Sequence, residues 1–135
     1  MTFSLTINNT LAALTEAQER VAALLFGHGV SSEAAYAIRL SIEELVSNII
    51  RHGYDDREPH EIAICLDILP RSIELTIDDD GRPFDPNSVA AVSVPSSLDE
   101  APTGGMGLSL VRTIAGPIAY QRLDSRNRVT LRIPN

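Results

Sequence analysis

Ile42-Glu43-Glu44-Leu45-Val46-Ser47-Asn48-Ile49-Ile50-Arg51-His52-Gly53-Tyr54 reads as the second half of a buried helix, and the rest of the chain is organised around it. Ile38, Ile42, Leu45 and Ile49 follow at spacings of four, three and four, which makes one apolar stripe. Glu44 and Asn48 are four residues apart, so their side chains are neighbours on the helix surface. At about 100° per residue both fall beside the stripe, at the rim of a core, while Glu43 points elsewhere. A carboxylate and a carboxamide oxygen held there suit a hard cation, and a water or hydroxyl that needs a base. The bland reading is a chance Glu–Asn pair on a helix.

Upstream, Thr2 to Ile7 alternates with Phe3, Leu5 and Ile7 on one face, the pattern of a half-buried strand. Asn8-Asn9-Thr10 is turn and N-cap chemistry. A helix follows to Phe26, with Leu11, Leu14, Val21, Leu24 and Leu25 as its apolar members, and Gly27-His28-Gly29 ends it. Ser31 or Ser32 caps the central helix, and Gly53 is placed to stop it. Downstream, Glu61 to Ile68 and Ile73 to Ile77 alternate as two strands joined by Leu69-Pro70-Arg71-Ser72, a hairpin. Asn87 to Gly105 has no periodicity, and a loop of that length in a compact domain is usually functional. Leu108 to Ala115 reads as a third helix with Leu108, Val111 and Ile114 facing the core, stopped by Gly116-Pro117. Ile118 to Leu123 and Val129 to Ile133 are two further strands around a turn at Asp124-Ser125-Arg126-Asn127. The order β-α-α-β-β-loop-α-β-β gives an α+β fold: three helices on one face of a mostly antiparallel, mixed sheet of about five strands.

The 135 residues suit a single domain, 1–135, with one core. A net charge of −7 argues against nucleic acid and against an anionic membrane surface. No apolar run reaches membrane-spanning length, the first residues lack the basic flank of a signal peptide, and the lone Cys65 precludes an internal disulfide, so a cytoplasmic location is expected. Cys65, inside Ile62-Ala63-Ile64-Cys65-Leu66, reads as a core thiol. The chain contains no lysine, and its fixed cations are 11 arginines. That excludes a Walker A loop and a protein-kinase-type Lys–Glu pair. Phosphates would have to be met by backbone N–H groups, a metal ion, Arg and hydroxyls.

Two further constellations follow the helix. Asp79-Asp80-Gly81-Arg82-Pro83-Phe84-Asp85-Pro86 leaves a strand end. It is either an acidic turn, or a carboxylate aimed into a pocket to accept an exocyclic amine, with Gly81 letting the backbone approach a flat ring. Gly104-Gly105-Met106-Gly107-Leu108-Ser109-Leu110-Val111 opens a helix, where glycines expose N–H groups and the positive dipole end to an anion. A lone Gly-x-Gly is weak; the three constellations in this order are much stronger.

Together they resemble the N box and the two glycine boxes of the GHKL, or Bergerat-fold, ATPases over about Ala37 to Arg112. Within that superfamily the chain looks most similar to the RsbW/SpoIIAB-like anti-sigma factor serine/threonine kinases. The resemblance implies a two-layer sandwich that binds ATP or ADP with Mg2+. Asn48 would hold the metal and Glu44 would be the general base. Asp79 would bind the adenine amine, with Gly81, Pro83 and Phe84 shaping its pocket. Thr103, Gly104, Gly105, Met106, Gly107, Leu108 and Ser109 would hold the phosphates, and Asn87 to Thr103 would be the ATP lid. Arg51 and His52 lie one turn beyond Asn48, within reach of phosphate, although His52 serves equally well as a helix-end residue.

The implied partners are a STAS-domain anti-anti-sigma protein as phosphoacceptor and a sigma factor; many relatives are homodimers. Three departures are visible: Pro83 replaces a glycine, the third helix ends early at Gly116-Pro117, and the lid carries Asp99 and Glu100 but no Arg. The last of these motivates an alternative, an ATP-dependent partner-binding switch with negligible kinase activity.

Overall fold

Strand alternation and helical spacing produce the elements in the expected order. They are β1 (Thr2–Asn8), α1 (Leu11–Gly27), α2 (Ser32–His52), β2 (Glu61–Ile68), β3 (Ser72–Asp79), α3 (Gly105–Ala115), β4 (Ala119–Leu123) and β5 (Arg126–Pro134). A 3-10 turn covers Pro86–Ser88. The computed structural model describes residues 1–88 and 105–135, the first two residues of α3 by their backbone alone.

The sheet has the order β1-β2-β3-β5-β4. All four pairings are antiparallel, so the sheet has no mixed character among the described residues. β1 pairs with β2 across the two intervening helices, with Thr2 opposite Asp67 and Asn8 opposite Glu61. β5 lies inside its own hairpin, against β3, in a register that sets Asp79 opposite Asn127. The turn is two residues, Asp124-Ser125, and Asp124 takes φ 55°, a conformation Asp tolerates better than most residues.

Side-chain oxygens start both long helices. Thr10 accepts from the Ala13 N–H at 3.1 Å and Ser31 from the Ala34 N–H at 3.2 Å. Gly53 caps α2 with an ordinary φ of −80°. Its need for glycine is close approach: a Cβ there would lie 2.6 Å from the Ile49 carbonyl oxygen.

One face of the sheet is buried, by Ile7, Ile62, Ile64, Leu66, Ile73, Leu75, Ile77, Val129, Leu131 and Ile133. Against it pack Leu14, Val21 and Leu25 of α1, Ile38, Ile42, Leu45 and Val46 of α2, and Leu108, Val111 and Ala115 of α3. The opposite face is polar. Arg128 makes a two-pronged bond to Asp78 (2.8 and 2.9 Å), and Arg132 reaches Glu74 at 3.1 Å. These pairs sit directly across β3 and β5, where opposite charges support register.

Three expectations about burial are corrected. Leu11 is exposed, and α1 turns Ala17 and Gln18 inward. Ile114 is exposed and Ala115 takes its place in the core, because α3 follows 108, 111 and 115. Cys65 lies on the helix-free face: Ile62, Ile64 and Leu66 point inward, so the residue between them cannot. The unbroken apolar run hid that alternation.

Candidate functional site

Asp79 closes β3 and is buried. Its Oδ1 accepts the Gly81 N–H at 2.9 Å and the Asn127 Nδ2 at 3.1 Å. Asn127, opposite it on β5, also donates to the Arg82 carbonyl at 2.9 Å. The Asn127 Oδ1 accepts the Tyr120 hydroxyl at 2.5 Å and Arg122 Nη1 at 3.1 Å. Arg122 further donates to the Gly81 carbonyl at 2.8 Å. Burial raises the Asp79 carboxyl above its ordinary range, and the bonds from Asn127 and Gly81 oppose that. A carboxylate with one oxygen saturated by protein donors keeps the other for a ligand.

Beside it lies a cavity of ≈ 280 Å³. Leu45, Ile49 and Val129 give it apolar walls, Pro83, Phe84 and Pro86 form one side, and Asn48, His52, Asp79 and Asn127 supply polar atoms. Apolar walls with a few converging polar groups are what a flat heterocycle needs.

The structure brings most of the candidate residues together, with differences. Asn48 and His52, one turn apart on α2, both line the cavity, as do Pro83 and Phe84. Glu44, a further turn back, is half-buried and outside the cavity lining. It abuts α3, where a Cβ on Gly107 would overlap its carboxylate. The first turn of α3 therefore lies against the Glu44–Asn48 side of α2. Arg51 is exposed and does not line the cavity.

Gly81 carries a steric constraint from its own surroundings. A Cβ there would lie 2.7 Å from the Gly53 carbonyl oxygen and 2.8 Å from Asp79 Oδ1, and Gly81 itself is not in the lining. Gly105 begins α3 and Met106 continues it. The Leu108 side chain belongs to the core, and the Ser109 carbonyl accepts from Thr113 at 3.1 Å. Thr103, Gly104 and the expected lid from 89 onward lie outside the described residues.

Asn127, Tyr120 and Arg122 were not anticipated from the sequence. The signal existed: Asn127, Val129, Leu131 and Ile133 continue one period-two series, which places an Asn on the buried face.

The segment between α2 and β2 is tied to the same turn. Arg82 donates through Nε (2.8 Å) and Nη2 (2.5 Å) to the His52 carbonyl, and its backbone N–H donates to Gly53 O at 2.9 Å. His60 stacks on Tyr54 with ring centroids 4.1 Å apart. It bridges two carboxylates, Nε2 to Asp56 at 2.7 Å and Nδ1 to Asp80 at 3.2 Å. Carboxylates only accept, so both ring nitrogens must donate and the imidazolium is the favoured form. Donating to Asp56 and then to Asp80 raises the His60 pKa, and accepting from His60 lowers that of Asp56.

A raised histidine contributes stability that is present below its ordinary value and lost as pH rises through its folded value. A depressed carboxyl contributes stability that is lost as pH falls through its folded value. Wild type is therefore expected to exceed His60→Gln in stability between those limits, with the gap closing above the raised His60 value. Denaturant midpoints measured from pH 5 to pH 9 would check this; a gap that does not change with pH contradicts it.

A five-stranded antiparallel sheet with helices on one face, and a cavity between α2 and the end of β3, defines an α+β domain of the Bergerat type. The profile of the histidine kinase-like ATPase domain matches residues 7–133, and the chain belongs to that family. It is 33% identical over 101 residues to the serine/threonine-protein kinase BtrW of Bordetella bronchiseptica, covering 75% of this chain and 71% of BtrW. It is 26% identical to the anti-sigma F factor of Clostridium novyi, over 80% of this chain and 76% of that protein. With the serine-protein kinase RsbW of Oceanobacillus iheyensis it shares 29% identity, over 64% of this chain and 57% of that one. A crystal structure of the RsbU and RsbW domains of Rv1364c from Mycobacterium tuberculosis superposes with a TM-score of 0.66 at 14% identity. That match covers all of this chain and 33% of the other, and shows the shared fold.

Proposed function

We propose that this chain is an ATP-dependent protein-serine/threonine kinase that works as an anti-sigma factor. Its phosphoacceptor is a serine on a STAS-domain anti-anti-sigma protein, and it holds a sigma factor when that antagonist is phosphorylated. The carrying observation is Asp79 at the end of an apolar cavity, with one oxygen saturated by Gly81 and Asn127, and with Asn48 and Glu44 on successive turns of α2.

In this reading Asp79 Oδ2 accepts the adenine amine, and Ile49 and Val129 exclude water from the ring. The amides opening α3 face the phosphates, whose charge that helix end favours. The Asn48 carboxamide would supply a hard oxygen to Mg2+. Among the described residues no three His, Cys, Asp or Glu cluster to hold a metal. That fits Mg2+ carried by the nucleotide, since magnesium commonly takes one or two protein ligands with phosphate oxygens and waters. Bound there, it would supply neutralisation of phosphate charge. Glu44 takes the proton of the attacking serine hydroxyl as the bond to the γ-phosphorus forms and ADP leaves. Such a step needs positioning and charge stabilisation more than covalent help from the protein.

The test is transfer of the γ-phosphoryl group from labelled ATP to a STAS-domain partner. Label on a partner serine is expected. Nucleotide binding without transfer would favour the second reading, a nucleotide-dependent binding switch. That reading is motivated by the arginine-free sequence from 87 to 103 and by the seating of Glu44 against Gly107, outside the cavity lining.

A further inference from the structure

We propose that Arg122 on β4 is a positioning residue for base selection: through Asn127 and the Gly81 carbonyl it fixes which donors and acceptors the Asp79 end of the cavity presents, favouring a purine with an exocyclic amine over one with a carbonyl there. The inference rests on reading the cavity as an adenine site.

The Asn127 carboxamide has two different ends, and its surroundings read them. Its Oδ1 faces Tyr120 and Arg122. A tyrosine hydroxyl can donate or accept, but a guanidinium only donates. Arg122 at one end, and Asp79 Oδ1 and the Arg82 carbonyl at the other, together forbid the reversed amide. With Nδ2 held toward Asp79, both protein donors fall on Oδ1, and Oδ2 is left as an acceptor.

The same Nη1 donates to the Gly81 carbonyl and so ties the turn that delivers the second donor. Arg122 is also the cation facing Asp79, and it favours the charged carboxylate, while Asp80 and burial oppose it. Tyr54 packs nearby with its phenol held protonated, its pKa pushed up by burial and then by Asp79 and Asp80. A deprotonated Asp79 accepts from an amine; a protonated one donates to a carbonyl. Arg122 biases the site to the first of these.

ADP and IDP differ at that position, amine against carbonyl, and are the probes. Arg122→Gln is expected to bind ADP about tenfold more weakly while IDP changes little, so the ADP to IDP ratio narrows about tenfold. The acid limb of ADP binding should move to higher pH. Arg122→Lys, which keeps the charge and a donor, should restore the ratio to within about threefold of wild type. Because Arg122 acts in part through Asn127, Asn127→Ser should narrow the ratio as well, and the double variant should fall short of the sum of the two single effects.

An unchanged ratio and pH profile in a folded Arg122→Gln, or full additivity with Asn127→Ser, overturns the proposal and leaves Arg122 a structural residue. Should Arg122→Gln not fold, Asn127→Ser carries the test, and an unchanged ratio there also overturns it. Failure of the adenine reading looks different: wild type would not prefer ADP to IDP, or Asp79→Asn would bind ADP unimpaired.

Discussion

Asp79→Asn is expected to weaken ADP binding by about 10- to 100-fold, the worth of a hydrogen bond to a charged acceptor. The wild-type Oδ1 accepts from Gly81 and Asn127, and in the proposed site Oδ2 would accept from the base. An asparagine must turn its NH2 toward one of these donors, so either the turn or the adenine amine loses its acceptor. Folding should suffer less than binding. The carboxyl is raised by burial in the folded state, so its charge opposes folding at neutral pH, and a neutral side chain removes that cost. Calorimetric titration with ADP, paired with thermal unfolding of the free protein, separates the two effects. Unaltered affinity would remove Asp79 from the site.

Glu44→Gln is expected to slow phosphoryl transfer by about 10²- to 10⁴-fold, the contribution of a positioned general base. ADP affinity should stay within about threefold, because Glu44 lies outside the cavity lining. Asn48, one turn along α2, lines the cavity, and Asn48→Ala should cost nucleotide affinity instead. The two variants are therefore expected to separate chemistry from binding within one helix. Single-turnover transfer to the partner, measured with nucleotide bound, reports the first; undiminished transfer by Glu44→Gln would take the base role from it. The glutamine variant is preferred to alanine because it preserves the packing against Gly107.

Much of this arrangement was legible in the residues. The period-two series of β2 and β3 and the four-three-four stripe of α2 fixed those elements to within a residue or two, since each buries one face against the same core. Glu44, Asn48 and Asp79 were visible as polar residues at the edges of those patterns. What escaped were groups whose role depends on strand order. β5 inserts between β3 and β4, and only that insertion sets Asn127 against Asp79 and brings Arg122 to the Gly81 carbonyl. A linear reading took Asn127 for turn chemistry because Asp, Ser, Arg and Asn precede the apolar series. At Gly81 the steric constraint comes from the Gly53 carbonyl of another loop, a contact that local spacing does not encode. Cys65 failed for the opposite reason, an apolar run too uniform to show which residues face inward.

The central claim is that an adenine nucleotide occupies the cavity between α2 and the end of β3. Backbone amide NMR during titration with ADP and Mg2+ tests it most directly. Saturable shifts are expected, concentrated at Ile49, Gly53, Gly81, Arg82, Phe84 and Asn127, with the Asn127 side-chain NH2 among them. Saturation without shifts at these positions, or shifts confined to the separate α1–α2 groove around Gln18, Tyr36 and Glu43, would contradict it.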